Sequence, residues 1–111
     1  MSDIEREVAR TKAAHDGYTE FRRSAALSVG VYVLAAGATD RQSPHGEDEI
    51  YYVVRGHGRF RQGPDDRAVG PGDVLFVPAR AEHRFHTIAE ELVLLVVFAP
   101  PEGSQGAVGG G

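Results

Sequence analysis

The chain contains no cysteine. Disulfides, thiolate metal sites and thiol nucleophiles are therefore excluded, and a reducing cytoplasm is the compartment that fits. An excess of positive charge is missing too: Lys and Arg total 12 against 16 Asp and Glu, a formal net charge of −4. A nucleic-acid binder needs a basic stripe to track phosphates, and none is present. Arg22-Arg23 and the scattered Arg55, Arg59 and Arg61 read instead as solvated strand faces. Long apolar runs are absent as well. The longest, Leu92 to Phe98, is far too short to cross a bilayer. The opening Met1-Ser2-Asp3-Ile4-Glu5-Arg6-Glu7 alternates in charge and lacks the apolar stretch of a signal peptide. The expectation is a cytoplasmic protein that meets neither nucleic acid nor membrane.

A length of 111 residues sets the expectation of one domain. Residues 2–16 suit a short helix, with Ser2 and Glu5 in capping-box spacing and Gly17 as a stop. From Tyr18 onward the pattern becomes β. Tyr18 to Arg23 and Leu27 to Ala35 are rich in β-branched and aromatic residues. Gly37 to Pro44 reads as a polar loop. Glu49 to Arg55 is a strand that Gly56-His57-Gly58 turns into Arg59 to Gln62, and Val74 to Val77, Glu82 to Ile88 and Leu92 to Phe98 complete the series. Short strands separated by Gly, Pro and Asp turns predict an all-β fold, a single small antiparallel barrel of jelly-roll type with a cavity at one mouth. The expected division is an N-terminal arm over 1–17, a barrel over 18–99 and a disordered Gly-rich tail over 100–111.

Two segments carry the chemistry. The first runs Pro44-His45-Gly46-Glu47-Asp48-Glu49-Ile50-Tyr51-Tyr52-Val53-Val54-Arg55-Gly56, and the second runs from Gly72 through Pro78 to His83. Alternate residues of a strand share a face. If Glu49 points inward, so do Tyr51 and Val53, with His45 and Glu47 joining if the strand extends back. His83 and Phe85 share a face, whereas Arg84 and His86 fall on the other. Two neutral imidazoles and a carboxylate, His45, Glu49 and His83, would hold a divalent ion and leave positions open on it. Tyr51, Phe76, Phe85 and Phe98 are expected to wall a mostly apolar pocket. His15, in the polar N-terminal segment, and His57, in a tight turn, are expected to be exposed.

The paired segments resemble the two motifs of the cupin superfamily, specifically its small single-domain members, over most of residues 37–88. The first motif is Gly, a spacer, His-x-His, three or four residues, Glu, six residues, Gly. Glu49, the six residues Ile50 to Arg55 and Gly56 match its second half, and His45 takes the place of its second histidine. In the second motif Gly72, Pro78 and His83 fall in register. There are departures. Ser43 stands where the first histidine belongs, Arg80 replaces the final Gly of Pro-x-Gly, and Thr87 replaces the closing Asn.

The resemblance implies a divalent cofactor (Fe, Mn, Ni or Zn) held by three His and one Glu, so one imidazole is missing. Water, Gln42 or Glu47 are the candidates for the vacant place, and Glu47 is also a candidate base. Dioxygenase or isomerase chemistry on a small oxygen-bearing organic ligand is one implied function, and a non-catalytic metal or small-molecule binding module is the other. A homodimer is also expected, with the N-terminal segment lying across the partner.

Overall fold

The computed structural model describes residues 2–15, 17–40 and 44–104. Helix α1 spans Asp3–Ala14, and six strands follow: β1 Tyr18–Arg23, β2 Ser28–Leu34, β3 Asp48–Gln62, β4 Asp65–Val69, β5 Val74–Val77 and β6 His83–Ala99. The capping box forms as its spacing requires: Ser2 Oγ accepts the Glu5 N–H at 3.2 Å. The helix ends before Gly17, because His15 itself takes a left-handed conformation and its N–H bonds back to the Lys12 carbonyl.

All pairings are antiparallel, in the order β1-β2-β6-β3-β4, with β5 also on β3. Two expectations need correction. The segments on either side of Gly56-His57-Gly58 are not separate strands joined by a turn. They form one 15-residue strand, and the two segments expected over 82–98 likewise form one 17-residue strand. The β3–β6 pairing slips in register between Val53 and Arg59, and these bulges bend both strands together where a turn would have ended them. Gly56 makes the bend possible. Its φ is +97°, and a Cβ there would sit 2.1 Å from the Glu91 carbonyl oxygen.

The second correction concerns closure. The sheet curls, but it does not close into a barrel: β4 and β5 pair with successive parts of β3, and no described strand links them to β1. The inner face of the curl carries the main core, which includes Tyr51, Phe60, Phe85, Leu92, Leu94 and Phe98. Alternation is strict along the start of β3, where Glu49, Tyr51 and Val53 are buried while Asp48, Ile50 and Tyr52 are exposed.

On the outer face α1 lays Val8 against Val31 and Val93. Lys12 adds an ion pair to Glu91 at 2.8 Å. The N-terminal segment thus packs on its own sheet. The expected disordered tail is also partly docked. Pro101 is buried, the Glu102 N–H donates to Ser28 Oγ at 3.0 Å and the Gly103 N–H donates to Glu47 Oε1 at 3.2 Å. The rest of that tail, 105–111, lies outside the described residues.

Candidate metal centre

Three backbone segments converge on the inner hollow. β3 delivers Glu49 and Tyr51 by its period of two, β6 delivers His83 at its first residue, and the segment just ahead of β3 delivers His45. Hydrogen bonds clamp the turn after β5 onto that segment: the Arg80 N–H donates to the His45 carbonyl at 2.6 Å and the Ala79 N–H to Asp48 Oδ1 at 2.9 Å. The two sequence motifs are thus held together by one main-chain bond and one bond to the Asp48 side chain. His45, Glu49 and His83 are 2%, 1% and 7% exposed, and each offers one donor atom such that all lie within 4.8 Å of one another.

The protonation pattern follows from the partners. His83 Nδ1 lies 2.9 Å from the Ala81 carbonyl, which can only accept, so that nitrogen carries a proton. Its Nε2 then faces inward, 3.1 Å from Glu49 Oε1 and 3.1 Å from the Tyr51 hydroxyl. Neither Glu49 oxygen makes a hydrogen bond of acceptable geometry, although both are buried. A buried carboxylate opposite the lone pair of a neutral imidazole is costly unless a proton or a metal ion sits between them.

Burial pulls His83 below the ordinary imidazole value, but Glu49 and the Ala81 carbonyl outweigh it and hold the ring above that value. Burial prevails at His45 and lowers it, against the raising influence of Glu49. The same carboxylate that favours a proton on His83 would also favour a bound cation. Imidazole nitrogen and carboxylate oxygen suit Fe, Mn, Ni and Zn, and the orphaned carboxylate fits such an ion.

The other expected residues divide. Tyr51, Phe85 and Phe98 are fully or almost fully buried. Phe98 meets the His45 ring edge-on at 5.0 Å between centroids, and Phe85 does the same to Tyr51 at 5.0 Å. Phe76 does not face the inner hollow: it points out of the opposite face and is 56% exposed, because the phase of β5 buries Leu75 and Val77 instead. Glu47 is buried but stands outside the three-donor group and holds the C-terminal turn through Gly103. Gln42 lies outside the described residues.

Asp40 was not anticipated. Its carboxylate accepts the Phe85 N–H at 2.9 Å and the Tyr32 hydroxyl at 2.8 Å, anchoring the start of β6 near His83. Nothing in the polar stretch around it marks an acid destined for burial. The departures at Arg80 and Thr87 fall at special backbone positions. Both residues have positive φ, +69° and +48°, the region where Gly and Asn sit with least strain. Both positions hold a left-handed backbone without the residues that favour it.

Beside His83 a cavity of about 250 Å³ opens to solvent, lined by Pro44, Arg61, Gly63, Glu82, His83 and Arg84. Among the described residues no helix is long and apolar enough to cross a membrane.

A small antiparallel β-fold encloses a buried group of two imidazoles and a carboxylate that could hold a metal ion. The chain belongs to the cupin family: the Cupin domain profile matches residues 30–98. It is 47% identical over 97 residues to an uncharacterized protein of Streptomyces coelicolor, covering 86% of this chain and 92% of that one. It is 37% identical over 70 residues to the acireductone dioxygenase of Bacillus pumilus, covering 57% of this chain. A crystal structure of a DMSP lyase from Ruegeria pomeroyi superposes with a TM-score of 0.67 at 26% identity over 77% of this chain. The chain spans 39% of the dioxygenase and 48% of the lyase chain.

Proposed function

We propose that this protein is a cytoplasmic metal-dependent enzyme that binds a small oxygen-bearing organic ligand at a divalent ion (Fe, Mn, Ni or Zn). His45, Glu49 and His83 would hold the ion. The observation that carries this reading is the Glu49 carboxylate, 1% exposed, with no hydrogen bond of acceptable geometry and an imidazole nitrogen 3.1 Å away. A bound divalent ion would supply Lewis-acid polarisation of ligand oxygens.

The chain's own residues do the rest. The apolar rings of Phe85 and Phe98 exclude water, and Ala81 fixes the His83 tautomer. The charged walls of the adjoining cavity, Arg61, Arg84 and Glu82, suit a polar ligand. The partial likeness to acireductone dioxygenase supports dioxygenase chemistry, with isomerase chemistry the other reaction class.

Metal analysis of untagged purified protein tests the reading. Wild type should carry one ion per chain, His83→Ala none, and His57→Ala the wild-type amount, since His57 is exposed and bonded to Glu90. Metal retained after the His83 change rejects the site. Oxygen uptake with diketones, catechols and thiols then separates catalysis from the second reading, a metal-holding module without turnover. The near-complete burial of all three donors favours that second reading.

We also propose a homodimer, joined through the half of the outer sheet face that α1 leaves bare. Ile50 pairs with Phe76 and Tyr52 with Val74 across β3 and β5, and these side chains are 41%, 56%, 43% and 61% exposed. At about 150–250 Å² for a large ring, the four leave roughly 400 Å² of apolar surface. That is half of the about 800 Å² each partner gives to a standard interface. A twofold axis lets such a charge-free patch meet its own copy. Phe76→Asp should convert dimer to monomer in sedimentation, and a monomeric wild type overturns the proposal.

A further inference from the structure

Resting on the metal-dependent reading above, we infer that the Tyr51 hydroxyl is a fourth protein donor to the ion, making up the number that the missing imidazole leaves short. Tyr51 lies two residues after Glu49 on β3, so the period of the strand sends both side chains into the same hollow. Its hydroxyl is 3.1 Å from His83 Nε2, the same separation that Glu49 Oε1 keeps from that nitrogen. Donor atoms bound at about 2.1 Å to a common ion lie about 3.0 Å apart at right angles and about 3.4 Å apart in a tetrahedron. The hydroxyl therefore occupies a ligand's position relative to His83, as the carboxylate does.

Packing leaves the phenol little room to turn away. Tyr51 has no exposed surface, and its ring meets Phe85 edge-on at 5.0 Å and Phe60 at 6.0 Å between centroids. Glu47, one of the alternative donors, already accepts from the Gly103 N–H. In the metal-free protein the phenol O–H donates to Nε2 when the ring is neutral. On a ferric ion it would be bound as phenolate, its proton released to solvent.

That difference gives a spectroscopic test. Full-length protein is loaded with one equivalent of Fe(II), which is then oxidised in place by a chemical one-electron oxidant. Wild type should show a visible phenolate-to-iron charge-transfer band. Tyr51→Phe should keep one iron per chain and lose the band to background. Tyr18→Phe should retain it, although Tyr18 also buries a hydroxyl in this region.

Ring-deuterated tyrosine in wild type, read by resonance Raman at the band, assigns a phenolate mode even if Tyr51→Phe misfolds. Iron at full stoichiometry with no phenolate band overturns this assignment alone. So does a band that survives Tyr51→Phe or vanishes in Tyr18→Phe. A wild type that takes up no metal overturns the proposed function and this assignment together.

Discussion

Replacing Glu49 by Gln keeps the side-chain shape and removes one buried charge, so it separates ligation from packing. A ligand that binds only the folded state adds about 2.7 kcal/mol when present at 100 times its Kd. For a chain of this size, with about 4 °C in Tm per kcal/mol, wild type should melt about 10 °C higher with metal than without. Glu49→Gln should lose that increment, because an amide is a weak ligand for these ions. The metal-free variant tells the other half. Glu49 is 1% exposed and its oxygens lack hydrogen bonds, so its charge is held in place at a desolvation cost that His83 only partly offsets. Metal-free Glu49→Gln should therefore melt at or above the metal-free wild type. Differential scanning calorimetry of the four samples measures both effects. An unchanged metal-induced shift in the variant would show that the carboxylate is not a ligand. A loss of about 3 kcal/mol or more without metal, the scale of breaking a buried pair, would make it a structural partner instead.

Phe85→Ala should cost about 3–5 kcal/mol in urea unfolding, since Phe85 is fully buried and packs on Phe60 at 4.7 Å; a loss under 1 kcal/mol would contradict its place in the core. Burial, with Glu20, Glu49 and Glu47 nearby, pushes the Glu102 carboxyl up to about 7. A carboxyl raised on folding imposes no penalty below its ordinary value and its full penalty above the raised one. The Tm of metal-free Glu102→Gln relative to wild type should accordingly rise between pH 4.5 and pH 8, and a flat difference would mean that the docked C-terminal turn leaves this group in water.

The sequence by itself determined the class of fold and most of the donor set. Hydrophobic alternation in Glu49 to Val53 fixed which side chains face inward, and the structure buries that same set. The spacing of Ser2 and Glu5 defined the helix start, and the two motifs marked His45, Glu49 and His83, which the structure brings together. These are local matters, set by the strand period and by backbone positions such as Gly56. Four other features depended on contacts between residues far apart in the chain. Gly56-His57-Gly58 reads as a turn, yet the strand paired beside it makes it a bulge. Phe76 reads as a pocket wall, yet the register with β3 sends it outward. Asp40 and Tyr51 gained their roles from Phe85 and His83, 45 and 32 residues away along the chain. Period and turn chemistry act over a few residues, whereas register, burial and the meeting of donor atoms exist only once separate strands have packed.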